Sequence, residues 1–261
     1  MSYEPITVGG FVSPHRFTDR SGGVSTGHLS SLNLGFSRGD DRENVLENHR
    51  RLAKAVGYDV EKLVCTHQIH TDMVRVVTEA DWGQGVFHSP APECDGLVTN
   101  VPGTAVMAFG ADCTVTLLED PVTGAVGAVH AGWRGTALGI VAKAVDTMVD
   151  AFGSRREDIR ACIGPCIQRC CFETRSDVPE AMLKALGDDA RIAIDDHGDG
   201  TYHVDLVDLN TIWLKRAGIV EPWALPYCTA CDTERFWSHR KVGDRRGVQA
   251  GVIVCAGRKM P

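Results

Sequence analysis

A cysteine and a histidine carried on adjoining strands can share one zinc ion, and the stretch from Met107 to Gly135 offers such a pair in Cys113 and His130. It reads MAFGADCTVTLLEDPVTGAVGAVHAGWRG: two apolar, β-branched arms, a reversal at Asp120-Pro121-Val122-Thr123-Gly124, and a helix launched behind. With a two-residue loop at Pro121 and Val122, Cys113 lies directly opposite His130. Any even loop length keeps both side chains on one sheet face, opposite or diagonal, and an odd one separates them, because side chains alternate along a strand. Directly opposed Cβ atoms sit roughly 4.5–5.5 Å apart, which suits a thiolate and an imidazole bonded to one zinc at about 2.3 and 2.0 Å. The plainer alternative is a buried thiol beside a hydrogen-bonded core imidazole.

A third candidate ligand comes from Leu63 to Val77 (LVCTHQIHTDMVRVV), read as a strand carrying His67, Gln68 and His70. On a strand His67 and His70 point to opposite faces, so His70 with Gln68 beside it is the more coherent arrangement. His70, Cys113 and His130 together form a three-ligand set with a vacant fourth position, the pattern of catalytic rather than structural zinc. Such an ion polarises an oxygen or lowers the pKa of bound water to about 7. Arg134 and the N-terminus of the helix expected near Thr136 follow directly, and both favour anions; the alternative for Arg134 is a surface ion pair. Metal plus anion site points to chemistry on phosphate.

The remaining thiols read as structural. Cys228-Thr229-Ala230-Cys231 has knuckle spacing but no second pair in sequence, and Gly164-Pro165 interrupts the Cys162, Cys166, Cys170 series. No GxGxxG, GxxxxGK[ST] or GxSxG occurs. A net charge of −7 argues against general nucleic-acid or membrane-surface binding. No apolar run spans a bilayer, and MSYEPITVGG lacks signal-peptide character. Ten cysteines without secretion imply reduced thiols and a cytoplasmic setting.

The elements that must position these groups follow from punctuation and periodicity. His15 to Phe36, rich in Gly and Ser, reads as a long functional loop. Asp40 caps a helix with Glu43 as reciprocal partner; Val45, Leu52 and Val56 form its stripe and Gly57 ends it. Asp95 to Asn100 is a short strand, and Thr136 to Phe152 one helix with Leu138, Val141, Val145, Met148 and Phe152 on its buried face. Asp177 to Leu186 and Asp205 to Ala217 read as helices, and Gln249 to Ala256 as a strand. Without linker or repeat, residues 1–261 form a single α+β domain with a mixed sheet flanked by helices.

Seven motifs in order resemble the YfiH-type "laccase domain" family: RSGGVS at 20–25, SLNLG at 31–35, HQIH at 67–70, ADC at 111–113, HAGWRG at 130–135, IGPCI at 163–167 and CTACDTERFWSHR at 228–240. That family was first catalogued as multicopper polyphenol oxidases and is now described as zinc-dependent purine nucleoside phosphorylases with adenosine deaminase activity. The resemblance implies a layered α/β/β/α fold with mixed sheets in one domain. It implies metal ligands at His70, Cys113 and His130, with zinc expected and copper possible. It places Gln68, Asp112 and Cys113 at the chemistry, and Asn33, Arg134 and Arg50 around substrate or phosphate. The implied substrates are adenosine, inosine, guanosine and methylthioadenosine. Against the family pattern the sequence carries Asn48-His49 where an Asn-Arg pair is usual, with Arg50 and Arg51 following. It also has His67 for Asn, Thr114-Val115 without the usual Pro, and His239 for an aromatic. The ligands are untouched; His49 bears on anion affinity. The competing chemistries are a Cys113–His130 hydrolase in peptidoglycan-precursor editing, a copper polyphenol oxidase, and a metal-holding scaffold. Oligomeric state is not legible.

Overall fold

The structure, a computed structural model, describes residues 4–88 and 91–257; readings made for the other positions, including the first three residues of the leader reading, lie outside it. Two mixed sheets stack face to face. The first orders His15–Phe17 (β1), Gln249–Val254 (β13), Ala105–Gly110 (β5) and Leu63–Cys65 (β2). The second orders Trp223–Ala224 (β12), Arg160–Ile163 (β8), Thr114–Glu119 (β6), Val126–Ala131 (β7), Gly96–Thr99 (β4) and Val74–Val76 (β3). A small third sheet joins Ile194–Asp196 (β10), Tyr202–Val204 (β11) and Glu173–Thr174 (β9). The helices are Arg42–Val56 (α1), Trp133–Ala137 (α2), Ile140–Phe152 (α3), Asp177–Leu186 (α4), Leu206–Arg216 (α5) and His239–Val242 (α6).

Strand parity sorts the apolar side chains into layers. Val64, Val106, Ala108 and Ile253 meet Leu97, Val115, Leu117, Val126 and Ala128 between the sheets. The alternate residues Leu63, Cys65, Met107 and Val252 turn outward to Leu46 and Leu52 of α1. On the far side Val98, Leu118, Val129 and Ala131 meet α3 and Leu214 of α5. This is the α/β/β/α sandwich with mixed sheets. Burying each such Leu or Val contributes roughly 1.5–3 kcal/mol, so the parity of a strand is strongly specified. No helix among the described residues is long and apolar enough to cross a membrane.

Four local expectations are corrected. The arms of the central stretch are not one strand each, since β5 and β6 belong to different sheets and the chain crosses between them at Ala111–Cys113. The β6–β7 register pairs Val115 with His130, so Cys113 stands diagonal to His130 on the same face, just outside the strand. Leu63 to Val77 is likewise two strands in two sheets, and His70 sits in the connection between them. The cap of α1 is Asp41, whose carboxylate accepts from Glu43 N; Asp40 instead accepts from Ser25, Asn33 and the Asp41 N–H. The helix behind the hairpin starts earlier and is broken: α2 begins at Trp133, and Gly139 at φ 72° separates it from α3, leaving Leu138 exposed.

That break leads to a stability prediction. A Cβ at Gly139 would meet the Trp213 ring at 3.2–3.3 Å in a left-handed conformation. Gly139→Ala is expected to cost roughly 1–3 kcal/mol in urea unfolding. An unchanged midpoint would mean the α2–α3 break tolerates a side chain.

Candidate metal centre

The inter-sheet layer opens at one end, and the site lies there. His130 is on the last turn of the pleat of β7, buried, on the same face as Val126 and Ala128. The β4–β7 register, with Gly96 against Val129, puts Asp95 directly opposite it. Asp95 Oδ1 accepts from His130 Nδ1 at 2.8 Å, and its main-chain oxygen accepts from His130 N at 2.7 Å. This fixes the tautomer and leaves His130 Nε2 for a ligand.

The same carboxylate builds the loop that carries His70. Its oxygens accept the N–H groups of Ile69, His70 and Thr71 at 3.1, 3.1 and 2.9 Å. Held this way, His70 adopts φ 61°, in the left-handed region a histidine seldom enters. Its ring meets His130 edge to face, with centroids 4.9 Å apart. Cys113 is fixed through its neighbour. Asp112, at φ 91°, accepts from Thr229 Oγ1 at 2.7 Å and Arg240 N at 2.6 Å, and its carbonyl accepts from Ile167 N at 2.8 Å.

The ligating atoms of His70, Cys113 and His130 all lie within 4.8 Å of one another, so the donor set fits a zinc-type ion. Gly132 of the HAGWRG stretch explains itself here: a Cβ would come within 2.9 Å of the His70 ring and 3.1 Å of Cys113 Sγ. The electrostatics agree with a thiolate ligand. Burial alone would push the Cys113 thiol up, but His130 and His70 outweigh it and bring it down to about 6. Burial opposes charge on His130 too, yet the Cys113 thiolate and Asp95 raise it to about 9.

The three donors line a cavity of about 400 Å³ whose walls include Phe36, Phe109, Gln68, His67, Arg38 and Arg246. That volume is in the range of small-molecule sites. Burial and the neighbouring Arg38 lower the pKa of Arg246, and its Nε is buried without a hydrogen-bond partner among the described residues. A guanidinium in that position favours an arriving anion.

Of the residues named from sequence, the structure brings His70, Cys113, His130 and Gln68 to the cavity. Gln68 has its amide committed to Phe109, accepting its N–H and donating to its carbonyl. Asp112 lies behind Cys113 with both carboxylate oxygens engaged. Asn33 is fully buried and holds Gly35, Asp40 and Val248. Arg134 and Arg50 are exposed and outside the cavity lining, Arg134 resting 4.1 Å over its neighbour Trp133. His49 sits under the wall, stacked 5.5 Å from Phe36 with Nε2 at Leu34 O, and burial lowers its pKa to about 4. It therefore supplies no cation. Asp95, Arg38 and Arg246 escaped sequence reasoning. Asp95 depends on a strand register that no local signal gives, and the two arginines stand in loops without a motif.

Residues 14–256 match the family model described as multi-copper polyphenol oxidoreductase laccase. The chain is 34% identical over 246 residues to purine nucleoside phosphorylase YlmD of Geobacillus stearothermophilus, covering 93% of this chain and 89% of that protein. It is 37% identical over 244 residues to a purine nucleoside phosphorylase of Deinococcus radiodurans, covering 92% and 88%. The crystal structure of the Bacillus licheniformis hypothetical protein YfiH superposes with a TM-score of 0.89 at 33% identity, covering 92% of this chain and 91% of that one.

Two outcomes follow for metal binding. Asp95→Asn is expected to weaken zinc binding roughly 10–100-fold in chelator competition; undiminished affinity would remove Asp95 from the site. In the metal-free protein His130 carries its proton up to about pH 9, and Cys113 is ionised above about 6. Zinc must displace one proton in that window, so apparent affinity should rise about tenfold per pH unit, more steeply below it. Affinity independent of pH between 6 and 8, after correction for the chelator, contradicts the assignment.

Proposed function

The chain belongs to the multi-copper polyphenol oxidoreductase laccase family, and from that premise we propose that it is a zinc-dependent purine nucleoside phosphorylase acting on adenosine, inosine and guanosine, with accompanying adenosine deamination. The observation that carries this reading is the convergence of His70, Cys113 and His130 in a cavity that also presents two guanidinium groups and two phenyl rings. A zinc ion held by the three side chains would supply a Lewis acid with one open position.

The protein groups do the binding and orienting. Phe36 and Phe109 give the cavity an aromatic, apolar wall against which a purine can rest. Arg38 and Arg246 take the phosphate role that sequence reasoning gave to Arg134 and Arg50, and Arg246 gains an anion for a half-buried guanidinium whose Nε has no partner among the described residues. Phosphate so oriented attacks the anomeric carbon: the C1′–O bond forms, the C1′–N9 bond breaks, and the electron pair stays on the purine. The departing ring takes the proton that the phosphate hydroxyl brings in. Gln68 and Asp112 act as positioning residues, Gln68 by pinning the Phe109 backbone and Asp112 by fixing Cys113. A reducing, cytoplasmic setting belongs to the same reading, because all ten cysteines are free thiols.

One observation favours a second reading. The Cys113 thiolate beside a protonated His130 is what a thiol nucleophile needs. Zinc protection of Cys113 from alkylation separates the two, since a nucleophile independent of metal would gain nothing from it. Copper oxidase chemistry has less support: the other cluster of ligating side chains among the described residues is four thiols, not a set of histidines.

The test is adenosine turnover with and without phosphate. Adenine and ribose 1-phosphate should appear only with phosphate, and inosine should form in its absence. His130→Ala should lower phosphorolysis by roughly 10²-fold or more, since a Lewis acid contributes several kcal/mol. Arg246→Ala should raise the phosphate KM about 10–100-fold, the value of a charge-assisted contact, whereas Arg134→Ala should leave it nearly unchanged. Undiminished turnover in His130→Ala would end this reading.

A further inference from the structure

Four cysteines that spacing alone left unpaired meet on the far side of Asp112. The Cys170 Sγ lies 3.8 Å from that of Cys171, 3.7 Å from Cys228 and 3.6 Å from Cys231, and Cys171 lies 3.4 Å from Cys231. All four sulfurs fall within 4.8 Å of one another. Four bonds of about 2.3 Å to one tetrahedral ion place sulfurs roughly 3.8 Å apart, whereas a disulfide requires about 2.05 Å.

The backbone is arranged for a thiolate as well. Cys228 to Cys231 form a tight turn, and Gln168 N donates to Cys228 Sγ at 3.5 Å. The two segments are in fixed register, with Cys166 N donating to Tyr227 O at 3.2 Å and Thr229 N to Cys166 O at 3.0 Å. Thus the pair at 170–171 is the partner that the CxxC lacked in sequence. We propose that Cys170, Cys171, Cys228 and Cys231 form a second, structural metal site that binds one zinc ion with four thiolates and no open position. All-sulfur tetrahedral coordination suits zinc and disfavours the oxygen-seeking magnesium, calcium and manganese ions.

Such an ion would staple together the two segments that hold Asp112. Ile167 N and Thr229 Oγ1 contact Asp112 from either segment, and Arg240, whose N–H binds the same carboxylate, donates its guanidinium to the carbonyls of Cys171 and Glu173. The second site thereby supports the crossover that presents Cys113.

The experiment is metal counting on full-length protein purified under reducing conditions and equilibrated with zinc. Wild type should hold two equivalents per chain, His130→Ala one, and the Cys228→Ser/Cys231→Ser double variant one. His130→Ala loaded with cobalt(II) should show intense thiolate-to-metal charge transfer in the near ultraviolet and tetrahedral bands in the red, a readout that needs neither turnover nor the serine variant to fold. A single equivalent in wild type that vanishes in His130→Ala would overturn the proposal. So would free alkylation of all four cysteines in zinc-loaded protein, or their recovery as disulfides. These outcomes are independent of whether the cavity cleaves nucleosides.

Discussion

One buried carboxylate ties the site together. Asp95 is fully enclosed, and an ionised group there is tolerated only because four donors meet it: His130 Nδ1 and the consecutive N–H groups of Ile69, His70 and Thr71. These donors hold its pKa below the ordinary carboxylate value against the opposing effect of burial. The consequence is geometric. A loop between two sheets and the end of a central strand, sixty residues apart in sequence, are set at one distance by one side chain. The unusual backbone of His70 persists because three hydrogen bonds around it over-determine it.

The third donor arrives by different means. Where β5 leaves the first sheet and β6 enters the second, the chain turns through Asp112, and three segments remote in sequence hold that turn. The residues of this crossover, Gly110, Ala111 and Cys113, line the cavity together with His70, His130 and the aromatic and cationic wall. Fold and site are therefore one construction. The strand parity that buries Leu117 and Ala128 also aims His130 inward.

Much of this was legible in residue types. Alternation with an even connection predicted that Cys113 and His130 share a face, and the structure realises the diagonal version through a longer connection than two residues. The stop at Gly57 followed from local punctuation, the helix read over Asp177 to Leu186 is α4, and the one read over Asp205 to Ala217 is α5 with one residue fewer at each end. What local signals could not give was pairing between segments. The apolar run from Leu63 to Val77 reads the same whether it is one strand or two in different sheets. The match of Gly96 to Val129, which makes Asp95 the partner of His130, is a tertiary fact. The helix read over Thr136 to Phe152 ran straight through Gly139, which instead takes a positive φ beside Trp213 and breaks it. The cysteines of residues 170–171 and 228–231 show the same limit, since a CxxC is uninformative until a second pair is brought to it.

The central claim is that three side chains from a loop, a crossover and a strand end grip one ion. Anomalous diffraction at the zinc edge from crystals of the zinc-loaded protein addresses it most directly. The account predicts a peak bonded to Cys113 Sγ at about 2.3 Å and to one nitrogen each of His70 and His130 at about 2.0–2.1 Å. Protein that cleaves nucleosides yet shows no density there, with the imidazoles turned away from the sulfur, would contradict it.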